Sequence, residues 1–377
     1  MTILDRYLAR LFIKVLLICF VSLSGLYIVI DGFSNTDEFA TLGQRSPGGV
    51  VFVLAEYYGP RMLWFFDKTA GLMALIATAF ALTWLQRTNE LTALMAAGVS
   101  RVRVLVPLLI SAIAVAGLGI ANREFGLPAV RERLARNAQD WLGDQSRKCT
   151  PRYDIQTDVL ISGKSTLAKD RRIVQPLFRL PAELWGWGRQ IVADDGYQTP
   201  KTADHPAGYL LKGVKQPDLD HLASAELEGR RVLYSPSDTP WLEKDECFVV
   251  SVVSFEQLTV GGAWRQYLSS YELITGLHNR TIEPGADVRV TLHARVVQPL
   301  LDMALVVLGI PLVLTKGSRS IFLAAGICVV VVAVLFLVTI VCHGLGSNYL
   351  LDPTLAAWIP LAVFGPMAYT LARPLWD

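Results

Sequence analysis

The sequence has few charged residues and no marked excess of either sign. Of its 377 residues, 18% are charged and 52% are hydrophobic, and the formal net charge is +2. The mean hydropathy is +0.39, a value that soluble enzymes of this length rarely reach. The polar middle of the chain, 123–290, carries basic and acidic residues in nearly equal number, so it lacks a basic field that would attract nucleic acid. The composition instead favours a membrane protein.

Patterns typical of metal sites, nucleotide sites and covalent catalysis are also missing. The five histidines show no spacing typical of metal ligands. The stretch SGKST at 162–166 resembles the end of a phosphate-binding loop, but Asp158 stands where that loop needs a glycine. No nucleophile, acid and base fall into a recognisable arrangement. We therefore expect neither a cofactor, nor a metal, nor an enzymatic activity in this chain.

The five cysteines do not form a recognisable disulfide framework. Cys19, Cys328 and Cys342 fall in long apolar runs, where cysteine usually acts as a small hydrophobic residue. Cys149 and Cys247 lie in the polar middle of the chain and could pair in an oxidising compartment. Their separation in sequence says nothing about geometry, so the sequence leaves that pairing open.

Long apolar runs are the most prominent feature that the sequence does have. A membrane-spanning helix needs about 20 mostly apolar residues, and six runs qualify. They cover residues 11–32, 62–85, 104–122, 296–314, 321–342 and 354–372. The sequence therefore predicts an α-helical membrane protein with six transmembrane helices in a 3+3 arrangement. Residues 1–122 and 291–377 form its membrane parts, and residues 123–290 are an inserted domain.

Basic residues near the helix ends predict the orientation, because they favour the cytoplasmic side. Arg6, Arg87, Arg101 and Arg103 all lie at ends that face the same side in this scheme. Both termini are therefore expected in the cytoplasm. The inserted segment 123–290 is expected on the opposite side of the membrane.

The inserted segment is predicted to be an all-β domain. The runs DVLISGK, GYLLKGVKQ, RRVLYSP and CFVVSVVSFEQLTV are rich in β-branched residues and are bounded by Gly, Pro and Asp. A segment of this length can bury a core of its own. An antiparallel sandwich or jellyroll is the expected form. Residues 176–190, PLFRLPAELWGWGRQ, have no evident role.

The stretch QRTNELTALMAAGVSRVR at 86–103 predicts a short helix at 88–99, between two apolar runs. Thr88 or Asn89 can cap its start. A turn lying on the lipid surface is the simpler alternative, but a turn needs neither this length nor so many small residues. A helix that docks onto a cytoplasmic ATPase is the more specific prediction. Its expected contacts are Glu90, Leu91, Leu94, Met95, Ala97 and Gly98.

Several motifs together make the chain resemble the LptF/LptG family, the permeases that extract lipopolysaccharide from the inner membrane. They are LDRYL at 4–8, VSLSG at 21–25, RTNELTALMAAGVSR at 87–101, YLSSYELITGLH followed by Arg295, Gln298, Pro299 and Leu300, and GIPL at 309–312. The order of three helices, a β-jellyroll and three helices is also that of the family. VSLSG is more similar to LptG than to LptF.

This resemblance implies a bacterial inner-membrane location and a set of partners. A second permease of the LptF/LptG type would complete a cavity for lipopolysaccharide or a similar lipid. A dimeric cytoplasmic ABC ATPase would supply the energy, so ATP hydrolysis belongs to a partner protein. The inserted domain, 123–290, would be periplasmic and would pass the lipid to a periplasmic jellyroll bridge protein.

A phosphorylated lipid needs an apolar wall below a basic rim. The residues expected to bind it are Tyr27, Phe33, Arg61, Phe65, Lys68, Arg133 and Arg136. Lys68 and Asp302 both fall inside spanning helices, where charges are costly and often pair. We therefore also expect them to meet, either directly or across the outer rim of the lipid cavity. One position departs from the family, because Ile28 stands where LptG proteins can carry a lysine.

Two other functions compete with an ABC permease. A secondary transporter would show internal repeats and interrupted helices, and the chain shows no repeat, although Pro360 and Pro366 fall in the last span. A membrane-anchored sensor would signal inward through the 86–103 helix. Co-purification with an ATPase and a second permease would separate the first function from both alternatives.

Overall fold

The structure is a computed structural model that describes residues 3–45, 48–134, 146–202, 205–259, 265–278, 285–314 and 321–373. The chain divides into two compact units. The first, here called the membrane unit, comprises Met1–Ala129 and Gly285–Asp377. The second, the β unit, comprises Val130–Pro284 and lies slightly inside the predicted boundaries of 123 and 290.

The membrane unit is built from long apolar helices joined by short connections. Within the described residues, six helices are long and apolar enough to cross a membrane, and three of them begin before the β unit in the chain. The helices up to the β unit are α1 (Ile3–Ser34), α2 (Thr36–Arg45), α3 (Gly49–Arg87), α4 (Glu90–Ala96), α5 (Arg101–Ala121), a π-helical turn (Asn122–Gly126) and α6 (Leu127–Leu134). After it come α9 (Ala286–Leu314), α10 (Ile321–Ser347) and α11 (Pro353–Ala372).

All six predicted spans coincide with helices, but α3 begins much earlier than its apolar run. It starts at Gly49 rather than near 62 and contains Pro60 inside it. Helix α11 is likewise continuous through Pro360 and Pro366. Its start is defined by Asp352, whose carboxylate accepts hydrogen bonds from the backbone N–H groups of Thr354 and Leu355 at 2.9 and 3.2 Å.

The core of the membrane unit joins helices from both halves of the chain. Helix α3 packs against α1, α5 and α9, and α9 packs against α10 and α11. Fully buried side chains in this core include Phe12 of α1, Leu82 of α3, Leu108 of α5 and Leu308 of α9. The β unit is therefore inserted between two sets of helices that form one common core.

The described part of the β unit contains a single antiparallel sheet of nine strands. They are β1 (Arg147–Lys148), β2 (Arg152–Tyr153), β3 (Leu160–Leu167), β4 (Arg172–Arg179), β5 (Gln190–Thr199), β6 (Gly208–Gln216), β7 (Ala225–Leu227), β8 (Arg230–Tyr234) and β9 (Glu246–Val250). The strand order is β1-β3-β4-β5-β6-β9-β8-β7, with β2 also paired to β3. The predicted antiparallel β domain is confirmed, and its strands pair as one continuous sheet.

One side of this sheet buries a core filled by its own side chains. Phe178, Tyr209 and Phe248 are fully buried, and the rings of Phe178 and Tyr209 meet edge to face with centroids 5.8 Å apart. The helices α7 (Phe255–Thr259) and α8 (Ser270–His278) follow the sheet. Residues 176–190 span the end of β4, a 3-10 helix and the start of β5. Within that segment Trp187 is buried and donates from Nε1 to the carbonyl of Ala223 at 2.9 Å, so the segment closes the core.

A buried carboxylate ties the start of the sheet to its end. Asp154 is fully buried and accepts hydrogen bonds from the Ser251 hydroxyl at 2.6 Å and the Val252 backbone N–H at 2.9 Å. Its other oxygen accepts from the backbone N–H of Gln156 at 2.9 Å. Because a buried charge needs such partners, this network fixes the point where the chain leaves β9.

The last predicted strand run divides into two different elements. CFVVSVVSFEQLTV forms β9 up to Val250, and Phe255–Thr259 then forms the helix α7. Phe255 and Leu258 of α7 are buried in the core of the β unit. The apolar residues that follow β9 in this run thus form a helix, and this helix packs into the same core.

Cys149 and Cys247 are free thiols and do not form a disulfide with each other. Both side chains are buried in the core of the β unit. Burial raises the pKa of the Cys149 thiol to about 11 and raises the pKa of the Cys247 thiol as well. Both groups are therefore neutral at physiological pH and act as small hydrophobic side chains.

We predict that a maleimide at pH 8 leaves Cys149 and Cys247 of the native protein unmodified and reacts with both after denaturation. Peptide mass spectrometry measures the modification, and a peptide pair joined through these cysteines would contradict the assignment. The pKa of Cys149 is raised above its ordinary value of 9.0. The contribution of the neutral Cys149 thiol to the stability of the folded protein is complete below pH 9.0. It declines as the pH rises towards about 11.

Candidate functional site

The predicted docking segment contains a short exposed helix, α4, which is shorter than the expected 88–99. Asn89 precedes it in the left-handed region, with φ of 58°, and makes no side-chain cap, which corrects the predicted capping role. Gly98 follows it at φ of 82°, and the Val99 backbone N–H donates to the carbonyl of Leu94 at 3.0 Å. This left-handed ending suits glycine and turns the chain directly into α5.

The six residues predicted for docking divide into an inner and an outer set. Leu91 is buried in the core of the membrane unit, and Leu94 packs against that core. Met95, Ala97 and Gly98 are exposed. Glu90 accepts a hydrogen bond from the hydroxyl of Tyr7 at 3.0 Å. The exposed face of α4 is therefore composed of small side chains and one methionine.

At the far end of α1, aromatic side chains cluster against α3. Tyr27 stacks on Phe65 with ring centroids 5.6 Å apart, which brings two of the predicted lipid-binding residues together. Tyr27 also meets Tyr58 edge to face at 6.1 Å. The hydroxyl of Tyr58 donates to Asp31 at 2.8 Å, so this polar pair joins α1 to α3 within an aromatic surrounding.

An apolar cavity of about 320 Å³ lies beside these rings. It is formed by α1, α2 and the first half of α3. Its lining residues are Ile28, Val29, Gly32, Phe33, Thr36, Phe39, Ala40, Val50, Leu54 and Tyr58. Ile28, the position at which the sequence departs from LptG-like proteins, thus contributes to an apolar wall.

Arg61 does not extend freely from α3. Its side chain is buried, with a relative exposure of 8% for the residue, and its guanidinium carbon lies 3.4 Å from the centroid of the Tyr57 ring. It also donates from Nη1 to the carbonyl of Tyr57 at 3.0 Å. In this conformation Arg61 stabilises the start of α3 through a cation–π contact.

The direct ion pair expected between Lys68 and Asp302 is not formed. The Lys68 ammonium lies 3.4 Å from Asp67, and its side chain is 51% exposed. Asp302 accepts a hydrogen bond from Gln298 at 2.8 Å, one turn away on the same helix. Each residue has another partner in this structure, because the long lysine stem reaches back to Asp67.

Asp67 is instead the centre of a buried polar contact between α3 and the π-helical turn. Its carboxylate accepts from Nε of Arg123 at 2.8 Å, and the two side chains are 3% and 15% exposed. In the same turn, the Asn122 side chain donates to the carbonyl of Leu63 at 2.8 Å. Two side-chain contacts thus fix the π-helical turn to α3.

Helix α9 approaches α3 closely at Gly71, one turn after Asp67. A Cβ atom at Gly71 would overlap the carboxylate of Asp302. Gly71 is buried, so only a glycine leaves room for that carboxylate between the helices. Polar residues of α3, the π-helical turn and α9 therefore lie near one another. They are Asp67, Arg123, Gln298 and Asp302.

The two arginines predicted after the third spanning helix belong to a different region. Arg133 is exposed in α6, within the β unit, and Arg136 lies outside the described residues. The neighbouring Arg131 pairs with Glu272 of α8 at 2.7 Å. The β unit thus uses this part of α6 for an internal ion pair.

Sequence reasoning missed the pairs that join distant parts of the chain. Asp67 and Arg123 were visible as charges in or beside predicted spans, but nothing in the sequence indicated that they were partners. The contact between Asp5 and Arg103, at 3.1 Å, was missed for the same reason. Within the part of the chain that the structure describes, no group of three His, Cys, Asp or Glu residues could hold a metal ion.

We predict that Gly71→Ala lowers the stability of the membrane unit by about 1–3 kcal/mol, because the added methyl group displaces Asp302. Gly59→Ala is the matched control, since a Cβ there meets nothing within 4 Å. The control is expected to leave stability unchanged or to raise it by up to about 1 kcal/mol. Unfolding midpoints of the full-length protein in detergent measure both effects. Equal midpoints for the two variants would contradict the close approach at Gly71.

Comparison with known proteins agrees with the helical architecture. A search of curated protein sequences finds no match to the chain. The model of the family described as lipopolysaccharide export system permease LptF/LptG matches residues 6–168 and 212–373. The two matched segments include all six membrane-spanning helices, apart from the first three residues of α1, and much of the sheet. The chain therefore belongs to the LptF/LptG family of lipopolysaccharide export permeases.

Proposed function

We propose that the chain is one of two permease subunits of an ABC transporter that extracts lipopolysaccharide, or a similar large glycolipid, from the bacterial inner membrane. A second LptF/LptG-type permease completes the lipid cavity. A dimeric cytoplasmic ATPase drives the cycle, and a periplasmic jellyroll bridge protein receives the lipid. The exposed, small-residue face of α4 in a chain of this family carries the proposal.

In this proposal both termini and α4 are cytoplasmic, and residues 123–290 are periplasmic. The basic residues Arg6, Arg87 and Arg101 support that orientation. The similarity of VSLSG at 21–25 favours an LptG-type over an LptF-type role. Met95, Ala97 and Gly98 contact the ATPase, while Leu91 and Leu94 fix α4 to the membrane unit.

The lipid site in this proposal has an apolar and a cationic part. Acyl chains contact Tyr27, Phe33 and Phe65 and the apolar cavity that Ile28 lines. The half-exposed ammonium of Lys68 meets a lipid phosphate. Arg61 adds to this cationic part once it leaves the ring of Tyr57.

The β unit receives the lipid and has the role of the family's jellyroll domain. Its core is closed in this conformation, because side chains such as Val249 and Tyr209 are fully buried. An acyl chain can therefore enter the interior only if the sheet opens. We expect opening to depend on the bound partners, since the isolated core leaves no room for a chain.

We predict that Ala97→Leu weakens binding of the purified ATPase subunit to the permease complex in nanodiscs by roughly ten-fold. Ala97 is exposed and has φ of −80°, so leucine adds bulk there without backbone strain. Ala114→Leu, on an exposed position of α5, is the matched control and should bind as the wild type does. Unchanged binding for Ala97→Leu would make α4 only a connection between helices. A sensor or secondary transporter would bind no such ATPase at all.

We predict that Lys68→Ala lowers the affinity of the permease pair for lipopolysaccharide by about five- to ten-fold, because one charge-assisted contact to phosphate is lost. The control is Lys14→Ala. Lys14 is exposed in the first half of α1, away from the aromatic cluster, so its loss should have no effect. Quantifying lipid retained on the purified complex measures both. Equal retention in the two variants would assign Lys68 to its contact with Asp67 alone.

A further inference from the structure

The first two turns of α1 are joined to the docking segment by two side-chain contacts. The Tyr7 hydroxyl donates to Oε2 of Glu90 at 3.0 Å, at the start of α4. The carboxylate of Asp5 lies 3.1 Å from Nη2 of Arg103, at the start of α5. These contacts bracket α4, because one is made by its first residue and the other lies beyond its last residue in the chain.

Apolar packing below these contacts fixes the same arrangement. Leu8 and Phe12 of α1 are fully buried, and they belong to the same core as Leu85, Leu91 and Leu105. The position of the Tyr7 hydroxyl next to Glu90 is thus set by the apolar packing of α1 against α3, α4 and α5.

Among the residues that the structure describes, Glu90 has no cationic partner. The segment 86–103 contains one acidic residue, Glu90, and three arginines, Arg87, Arg101 and Arg103. The structure assigns Arg103 to Asp5. Among the described residues, the only side chain that the structure places on the Glu90 carboxylate is the neutral hydroxyl of Tyr7. A carboxylate held by a neutral donor keeps its full negative charge for a cation on another molecule.

We propose that the first two turns of α1 are part of the docking surface for the cytoplasmic ATPase, and that Tyr7 is a positioning residue that orients Glu90 towards it. This inference rests on the proposed function. The surface then combines the exposed residues Ile3 and Tyr7 with Met95 of α4, all at one end of the bundle. Ile3 is 82% exposed and extends this surface towards the start of the chain.

The inference has a direct consequence for how movement of the ATPase reaches the lipid. A displacement of α4 acts on α1 through Tyr7 and Asp5. Helix α1 has 32 residues and is about 48 Å long, and Tyr27 lies towards its other end. One rigid helix therefore connects the docking surface with the aromatic cluster.

The first test is Tyr7→Phe, which removes only the hydroxyl group. The measurement is the affinity of the purified ATPase subunit for the full permease complex in nanodiscs. We expect roughly five-fold weaker binding, the effect of losing one hydrogen bond to a charged group. Tyr369→Phe is the matched control, because Tyr369 is exposed in α11 and should bind as the wild type does. If Tyr7→Phe binds as tightly as this control, the inference is overturned while the proposed function stands.

A double variant separates positioning of Glu90 from a general structural role. If Tyr7 acts through Glu90, Tyr7→Phe combined with Glu90→Ala binds no more weakly than Glu90→Ala alone. Additive losses would overturn the positioning role. A wild-type complex that binds no ATPase would instead overturn the proposed function, so the two failures are distinguishable.

Site-specific photo-crosslinking tests the extent of the surface. A photo-reactive residue at Ile3 should form a crosslink to the ATPase subunit. The same residue at Ile18, exposed near the middle of α1, should form crosslinks only within the membrane. Lipid crosslinks alone at Ile3 would remove α1 from the docking surface.

Discussion

The high cost of a buried, unpaired charge determines how the helices of this protein meet. Asp67 of α3 and Arg123 of the π-helical turn form a buried ion pair at 2.8 Å. Because both side chains are withdrawn from water, each of these charges would be strongly unfavourable alone. Their pairing fixes the register of α3 against the segment that leads out of the membrane unit. The close approach of α9 at Gly71 then depends on that register, because the carboxylate of Asp302 fills the space beside the glycine.

The two ends of the membrane unit have different chemistry, although α1 and α3 reach both. One end has an exposed, small-residue helix next to a carboxylate, which suits a protein partner. The other end has stacked aromatic rings and an apolar cavity, which suit acyl chains. This division is what a permease needs if a soluble motor acts at one end and a lipid is held at the other.

The sequence predicts the membrane helices well because a spanning helix needs a long apolar run, and nothing else in the chain has one. It predicts strands less completely. Strands β4 and β5 were missed because RIVQPLFR contains Pro176 and QIVADDGYQT contains Asp-Asp-Gly, residues typical of turns. In the sheet, Asp195 pairs with Arg172 of the neighbouring strand at 2.6 Å, which offsets the charge on β5. The partners of Tyr7, Asp67 and Asp302 were unpredictable because hydropathy gives the position of a helix but not the rotation that brings two side chains together.

The insertion of the β unit between two sets of helices has a consequence for synthesis of the protein. The first three spanning helices must wait in the membrane until the β unit has been made and the last three helices follow. Both members of the Asp67–Arg123 pair belong to the first set, so their charges are neutralised before α9 exists. Asp302 has its hydrogen-bond partner, Gln298, on the same helix. Each half of the protein thus contains the polar partners of its own buried carboxylates, which suits insertion of the two halves at different times.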